Sequence, residues 1–471
     1  MASKSQQLHF ILFPFMAQGH MIPMMEIAKL LAQNGVLVTL ITTPLNANRL
    51  KQTLDRALKS GIPIKFVEVK FPAEEAGLPK DCENLDMLTS LESGKDFFFA
   101  TNNLKDPVEK LIQDMIPKPN CMISDMNLYY TSQVAIKFQI PRIGFNGFCC
   151  FCMLCMERIY SSDSEYFSVP GLSHPVHITK QQLPVATLRD MASFNEEVIE
   201  AEKVTYGIIM NTFEELESVF VKEYRKISGK VWCIGPVSLN NSDLIEQPDE
   251  CLKWLDEQQS GSVIYACFGS LCNLVTLQLI ELALGLEASN RPFLWVIRGG
   301  GKSIGLEKWM EEEGFEERTK GRSFIIRGWA PQLAILSHVG IGGFLTHCGW
   351  NSTLEAISAG VPMITWPLFA DQFSNEKLVV EMLKIGVKVG VEVMLAWGEE
   401  EEIGVVVKKE DVRKAILKLM DVGEEGEERR RRAKEFSVKA KIAVEENGSS
   451  YLNLKLLIED IRMLVVSKTL P

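Results

Sequence analysis

Long uninterrupted apolar stretches are missing from these 471 residues, and none approaches the ~20 apolar residues that a membrane-spanning helix needs. The amino-terminal MASKSQQLHFILFPFMAQGH holds one short apolar run, Leu8 to Met16, and no small-residue cleavage site. It reads as a first β-strand and not as a secretion signal. The carboxy-terminal LNLKLLIEDIRMLVV is interrupted by Lys455, Glu459, Asp460 and Arg462, so an amphipathic helix is expected there. Positive charge is also in deficit: 50 Lys and Arg against 61 Asp and Glu leave a formal charge of −11. That balance argues against nucleic acid or an anionic membrane as a general partner, although a local pocket can still take a nucleotide.

Several catalytic signatures are absent as well. Gly299-Gly300-Gly301 and the glycines around Gly340 do not form G-x-G-x-x-G, which leaves a dinucleotide oxidoreductase little support. His174 and His177 lack an HExxH context. Cys149, Cys150, Cys152 and Cys155 include a C-x-x-C but no second pair at zinc-finger spacing, so an apolar wall is favoured over a metal site. No carboxylate pair of a glycoside hydrolase stands out. Without a secretion signal, the eleven Cys are expected to be reduced thiols of a cytosolic protein. The glycosylation-like triplets at Asn240, Asn351 and Asn447 are then chance matches.

What the chain does have is alternation. Strand-length apolar runs at 10–13, 36–42, 64–69, 121–124 and 208–211 are separated by helical stretches such as 21–34 and 104–115. The pattern repeats with strands at 263–267, 293–297, 323–327, 343–345 and 362–365, and helices at 277–289 and 375–385. Alternation of this kind predicts parallel sheets wrapped by crossover helices, here as two Rossmann-like doubly wound α/β domains facing a cleft. The expected division is 1–235, a linker at 236–250 through the polar SLNNSDLIEQ, a second domain at 251–450, and a carboxy-terminal helix at 451–471 that packs back on the first domain. Two charged runs are expected on the surface: Glu399–Glu402 in a polar connection, and Arg429–Arg432 paired within a helix with neighbouring glutamates.

The densest information lies between Trp329 and Gln372, WAPQLAILSHVGIGGFLTHCGWNSTLEAISAGVPMITWPLFADQ. A buried strand, Ile341–Leu345, leads into Thr346-His347-Cys348-Gly349. A helix then starts at Asn351-Ser352-Thr353-Leu354-Glu355 and is stopped by Gly360 and Pro362. Strand, Gly-containing turn and helix N-terminus together form an anion site. Upstream, His20 is expected in the loop between the first strand and a helix beginning near Met21, at a strand's carboxyl end where ligands collect. It is suited to proton abstraction, or it is simply a packed or capping loop residue. Asp125 ends the run CMIS. It either orients an imidazole or caps the segment beginning near Leu128.

The 329–372 stretch, together with FPFMAQGHMIP near the amino terminus, resembles the plant UDP-dependent glycosyltransferases of secondary metabolism, inverting enzymes of GT-B architecture, and the resemblance runs over essentially the whole chain. It implies His20 as general base and Asp125 as its orienting carboxylate. For the donor it implies Trp329 stacking on uracil, with Ala330 and Gln332 completing base and ribose recognition. His347, Asn351, Ser352 and Ser270 would serve the diphosphate, and Trp350, Asp371 and Gln372 the sugar. Glu355 would hold the ribose hydroxyls, although Ser352-x-x-Glu355 is also a capping box. Gln372 resembles the glucose-preferring members. No metal or cofactor is implied, with UDP-glucose as co-substrate and a cytoplasmic monomer as the form of the protein. The amino-terminal half resembles a subgroup acting on triterpenoids, steroid hormones, cytokinins and flavonols. Phe15, Met16, Phe148 and Phe151 would line a pocket for such a hydrophobic acceptor, glucosylated at a hydroxyl or carboxyl. Another UDP-sugar, or a non-catalytic UDP-sugar-binding protein, is the alternative. Segments after Met156 and after Asn240 are shorter than expected for the subgroup.

Overall fold

The computed structural model describes residues 7–88, 91–162, 164–184, 191–240, 250–271, 274–298, 301–395 and 399–469. In chain order its strands are β1 His9–Phe13, β2 Leu37–Thr42, β3 Ile64–Glu68, β4 Cys121–Asp125, β5 Arg142–Asn146, β6 Tyr166–Phe167, β7 Val176–His177, β8 Gly207–Met210 and β9 Val231–Cys233. They continue as β10 Val263–Cys267, β11 Phe293–Ile297, β12 Ser323–Arg327, β13 Ile341–Thr346, β14 Met363–Thr365 and β15 Gly386–Lys388. One sheet has the order β3-β2-β1-β4-β5-β8-β9 and the other β12-β11-β10-β13-β14-β15. Every pairing in both is parallel. This is the GT-B fold of two doubly wound α/β domains.

Burial explains the strand sequences. The central β1 (HFILF), β4 (CMISD), β10 (VIYAC) and β11 (FLWVI) are buried along their whole length. A strand covered on both faces reads as a continuous apolar run, not as an alternation. The outer β3 and β12 are partly exposed. Strands β5, β9 and β15, and the antiparallel hairpin β6–β7, do not stand out in the sequence. β5 begins with Arg142, and β9, β15 and the hairpin strands have only two or three residues each.

The chain divides into two compact units. The first comprises residues 1–150, 188–240 and 443–471, and the second 151–187 and 241–442. These cuts differ from the expected division chiefly in giving residues 151–187 to the second unit. Most of the expected linker, and the short segment after Asn240, lies outside the described residues. Within the first unit, the helix Ser449–Thr469 contributes Leu454, Leu457, Ile458 and Ile461 to the core that also holds Leu12, Ile123 and Trp232. The second unit's core is built on Ile264, Trp295, Leu345 and Trp366.

Three expectations need correction. The helix expected from Met21 spans Gln18–Gln33, so His20 stands in its first turn and not in a preceding loop. Glu400 is buried in a short helix, Glu400–Ile403, so the acidic run is not all solvated surface. In the helix Glu424–Val444, Arg431 and Arg432 pair with Glu428 as expected. Arg429, however, is buried and donates to the Lys418 carbonyl, and Arg430 donates to that of Asp421. These two arginines therefore satisfy carbonyls where the helix Lys409–Leu419 ends, which a helical-wheel reading cannot reveal. Among the described residues, no helix is long and apolar enough to cross a membrane.

Leu457 is completely buried in the first unit's core. Leu457→Ala should lower stability by about 2–5 kcal/mol, read as an earlier first transition in urea unfolding. An unchanged midpoint would mean that the helix does not contribute to that core.

Candidate active site

Both sheets reverse their winding at one place, between β1 and β4 and between β10 and β13. Crossover connections leave in opposite directions there, which opens a crevice at the strands' carboxyl ends. The sequence-predicted residues fall at these two positions.

In the first unit, β1 passes through Phe15 into the helix that carries His20. The His20 Nδ1 lies 2.6 Å from Asp125 Oδ2 at the end of β4. Asp125 is completely buried. Its other oxygen, Oδ1, accepts from the Asn127 backbone N–H at 3.0 Å and from the Asn127 amide at 3.2 Å. The next helix, Thr131–Lys137, starts later and has Tyr130 at its N-cap, so Asp125 is not a helix cap. With Nδ1–H donating to Asp125, the neutral ring keeps its lone pair on Nε2. Behind the pair stands buried Arg142. It donates to the Asp125 carbonyl at 3.3 Å, to Ser124 and Thr131 hydroxyls at 2.9 Å each, and to the Thr205 hydroxyl at 2.6 Å. Burial pushes this guanidinium down to about 10. Burial also raises Glu202 to about 6, a rise that nearby Arg142 opposes and Asp125 reinforces.

The expected acceptor wall is only partly at the surface. Phe15 and Met16 are buried and Phe151 is buried completely; only Phe148 is partly exposed. Met16 and Phe151 are thus packed in the interior in this structure. Phe15 does meet the His20 ring edge-on at 5.6 Å and stacks on Phe98 at 5.0 Å. Phe194 packs edge-on to Phe98 and to Tyr129, beside Met126, Met191 and Val198. This aromatic cluster escaped the sequence reading. The run Phe97-Phe98-Phe99 was its available signal, but nothing local tied it to His20.

In the second unit, β10 ends at Cys267 beside Thr346 of β13, so the Gly269-Ser270 and His347–Gly349 turns are neighbours. A Cβ on Gly269 would lie 2.6 Å from His347 Nε2, and one on Gly349 2.4 Å from it. Both glycines are therefore needed to seat the imidazole, and Gly269 also has φ +74°. Burial lowers His347 to about 4; the Cys267 backbone opposes this and the Arg298 charge adds to it. The ring is neutral at physiological pH, and its buried Nδ1 makes no hydrogen bond of ordinary geometry.

Cys348 takes φ +66° without being glycine, a conformation costing about 1–2 kcal/mol. Two hydrogen bonds hold it: its N–H donates to the Thr346 hydroxyl, and its carbonyl accepts from Asn375 at 2.9 Å. Asn375 also donates to Asp371 Oδ2 at 2.6 Å, tying the two loops together. Asp371 and Gln372 are both buried. The Gln372 Oε1 accepts the Leu368 and Phe369 N–H groups at 2.7 and 3.1 Å, which fixes the turn before it.

The helix Trp350–Ala359 has Gly349 at its N-cap and ends at left-handed Gly360. Ser352 is therefore its third residue, and the capping-box reading of Ser352 and Glu355 fails. Instead, Gln332 joins them, donating to Ser352 Oγ at 3.0 Å and to Glu355 Oε2 at 2.8 Å while accepting from the Tyr265 hydroxyl at 3.2 Å. Burial raises the Glu355 carboxyl to about 7, partly offset by the Gln332 bond. Trp350 and Ala330 are buried, whereas Ser270, Asn351 and Ser352 are partly exposed. Trp329 is 61% exposed, with the Arg298 guanidinium carbon 4.9 Å from its ring centroid. Arg298 and Asn375 were both missed from sequence. Arg298 directly follows β11, a position that strand-end reasoning could have flagged. Among the described residues, no group of three His, Cys, Asp or Glu could hold a metal ion.

Two family profiles match the chain: "UDP-glucoronosyl and UDP-glucosyl transferase" over residues 180–425 and "Glycosyltransferase, N-terminal domain" over residues 6–239. UDP-glycosyltransferase 73C6 of Arabidopsis thaliana is 53% identical over 98% of the chain and 97% of its own length. UDP-glycosyltransferase 73C12 of Barbarea vulgaris is 54% identical, with 98% of each covered. Among solved structures, Glycyrrhiza uralensis UGT73P12, complexed with glycyrrhetinic acid 3-O-monoglucuronide, superposes with a TM-score of 0.89 at 37% identity, covering 98% of this chain and 97% of that one. Phytolacca americana UGT2, complexed with UDP-2fluoro-glucose and pterostilbene, gives 0.75 at 28% identity over 96% and 99%.

The raised Glu355 predicts a signature in stability. Folded, the carboxyl keeps its proton to about pH 7; unfolded, it loses it near ~4.3. Between those values the unfolded state binds fewer protons, so this group makes stability fall as pH rises. Glu355→Gln lacks that loss. Its thermal midpoint should gain on the unsubstituted protein's from pH 4.5 to 7.5 and level off above; a constant difference would refute the assignment.

Proposed function

Because the chain belongs to the family of UDP-glucuronosyl and UDP-glucosyl transferases and is a UDP-glycosyltransferase, we propose that it transfers glucose from UDP-glucose to a hydroxyl of an apolar aglycone, with inversion. The observation that carries the mechanism is the 2.6 Å bond between His20 and buried Asp125 at the β1/β4 switch point. His20 Nε2 takes the proton of the acceptor hydroxyl while its oxygen attacks the anomeric carbon. The bond from that carbon to the diphosphate oxygen breaks, and UDP leaves with the electron pair. Asp125 stabilises the imidazolium, much as a triad carboxylate does. An α-linked donor then gives a β-glucoside.

On the donor side, Trp329 takes the uracil face and Gln332 with Glu355 the nucleoside's polar edge. Neutral His347, Ser270, Asn351, Ser352 and the amino end of the helix Trp350–Ala359 meet the charge that develops on the diphosphate. Trp350, Asp371 and Gln372 form the sugar pocket. Such hydrogen-bond donors take the place of a metal ion, so transfer proceeds without one. The aromatic cluster around Phe15, Phe98 and Phe194 favours a flat hydrophobic acceptor such as a triterpenoid, steroid or flavonoid. The triterpenoid glucuronide bound to UGT73P12 and the pterostilbene bound to UGT2 support that class. The setting we propose is the cytosol, with the protein acting as a monomer.

Incubation with several UDP-sugars and a panel of such aglycones, read by mass, should give hexosides from UDP-glucose. Transfer only from another UDP-sugar would overturn the donor assignment. His20→Ala should lower kcat/KM by about 10²–10⁴-fold and leave UDP affinity unchanged. A rate within a few fold of normal would sink His20 as the base.

A further inference from the structure

The donor stretch has an electrostatic gap. Between Trp329 and Gln372 there is no lysine and no arginine. Of its two histidines, His338 is bonded to Asp256, and His347 is held neutral by burial. A nucleoside diphosphate sugar brings two negative charges into this site, and more charge develops on the leaving diphosphate. Hydrogen bonds from uncharged donors stabilise such charge, but bonds from a cation are roughly twice as strong. The whole chain, at −11, offers no general attraction to an anion.

One guanidinium is available where it is needed. Arg298 directly follows β11, which pairs in register with β10, at the carboxyl edge where Ser270 and His347 also lie. Its guanidinium carbon stands over the Trp329 ring at 4.9 Å. Its Nε is buried without a hydrogen-bond partner, and among the described residues no carboxylate pairs with it. Its charge is felt at both His347 and Cys267, the residues flanking the anion turn. A guanidinium on a surface usually finds a carboxylate or solvent for all its N–H groups. Here it is stacked on an aromatic and left unpaired beside a site built for an anion.

We propose that Arg298 is the cationic member of the donor site: it stacks against Trp329, holding the indole in place, and gives its free N–H groups to the diphosphate of the nucleotide. This rests on the UDP-sugar reading of the site and adds the charge that reading lacks. The assignment separates two contributions, since the stack serves the nucleoside and the charge serves the phosphates.

The test compares dissociation constants for UDP, by calorimetry, and for uridine, by competition, in the unsubstituted protein and in Arg298→Gln. Loss of a charged hydrogen-bonding partner should weaken UDP by about tenfold or more. Uridine should weaken less, by no more than about threefold, because it loses only the support of the stack on Trp329 and not a charged partner. Arg298→Met serves the same reading should the glutamine variant lose its fold, and Arg298→Lys should keep much of the preference for UDP over uridine. Equal weakening of UDP and uridine would reduce Arg298 to a support for Trp329 and overturn the proposal. Unchanged UDP affinity would overturn it as well. If the unsubstituted protein binds no UDP, the donor reading itself falls, an outcome distinct from either.

Discussion

Parallel strands cannot be joined by tight turns, so each must be followed by a crossover that returns to the sheet's starting edge. That constraint makes both sheets wind outward in two directions from a central pair, β1 with β4 and β10 with β13. At each central pair the connections diverge, and the carboxyl ends are left open to whatever the next few residues supply. In one unit those residues are His20 and Asp125; in the other they are the Gly269-Ser270 and His347–Gly349 turns. The most deeply buried strands therefore hold the most chemically active loops. A side chain anchored at the end of a buried strand, or in the first turn of the helix that follows it, has little freedom, and a proposed proton acceptor and anion site depend on being held in place before substrate arrives.

The two sites handle charge in opposite ways. In the proposed mechanism a positive charge is created at His20, and a buried carboxylate lies beside it, itself fixed by Asn127 on one oxygen, while Arg142 holds the Asp125 backbone carbonyl. At His347 burial suppresses positive charge, and two glycines press the ring into a slot where it can only donate or accept a hydrogen bond. Positive charge on that side comes from Arg298, outside the signature stretch. Local strain at Cys348 is held by Thr346 and Asn375, and Asn375 links the same turn to Asp371. The Cys348 turn and the Asp371 loop are thereby coupled through one buried amide.

The parts legible in sequence are those where one segment carries its own evidence. Fully buried central strands announce themselves as apolar runs, and Gly360 marks the end of a helix wherever that helix sits. Boundaries were less legible. Ala17 is extended and the helix begins at Gln18, but Gln18-Gly19-His20 has no apolar periodicity to show it. The capping box at Ser352 matched by spacing and failed because the helix starts two residues before Ser352, leaving Glu355 to bond Gln332. Arg429 looked like one of four equivalent surface arginines, yet its guanidinium is committed to a carbonyl in another helix's last turn.

By itself the sequence determined the fold class, the family's donor signature and the residue types at two strand ends, since each depends on spacing within some tens of residues. Only the tertiary structure decided which of those residues meet. His20 and Asp125 are 105 positions apart, and nothing along the chain measures the 2.6 Å between them. The same holds for Arg298 over Trp329, for Phe98 on Phe15, and for the burial of Met16 and Phe151. Contact between distant segments is set by how helices and strands pack, and packing is a property of the folded chain as a whole.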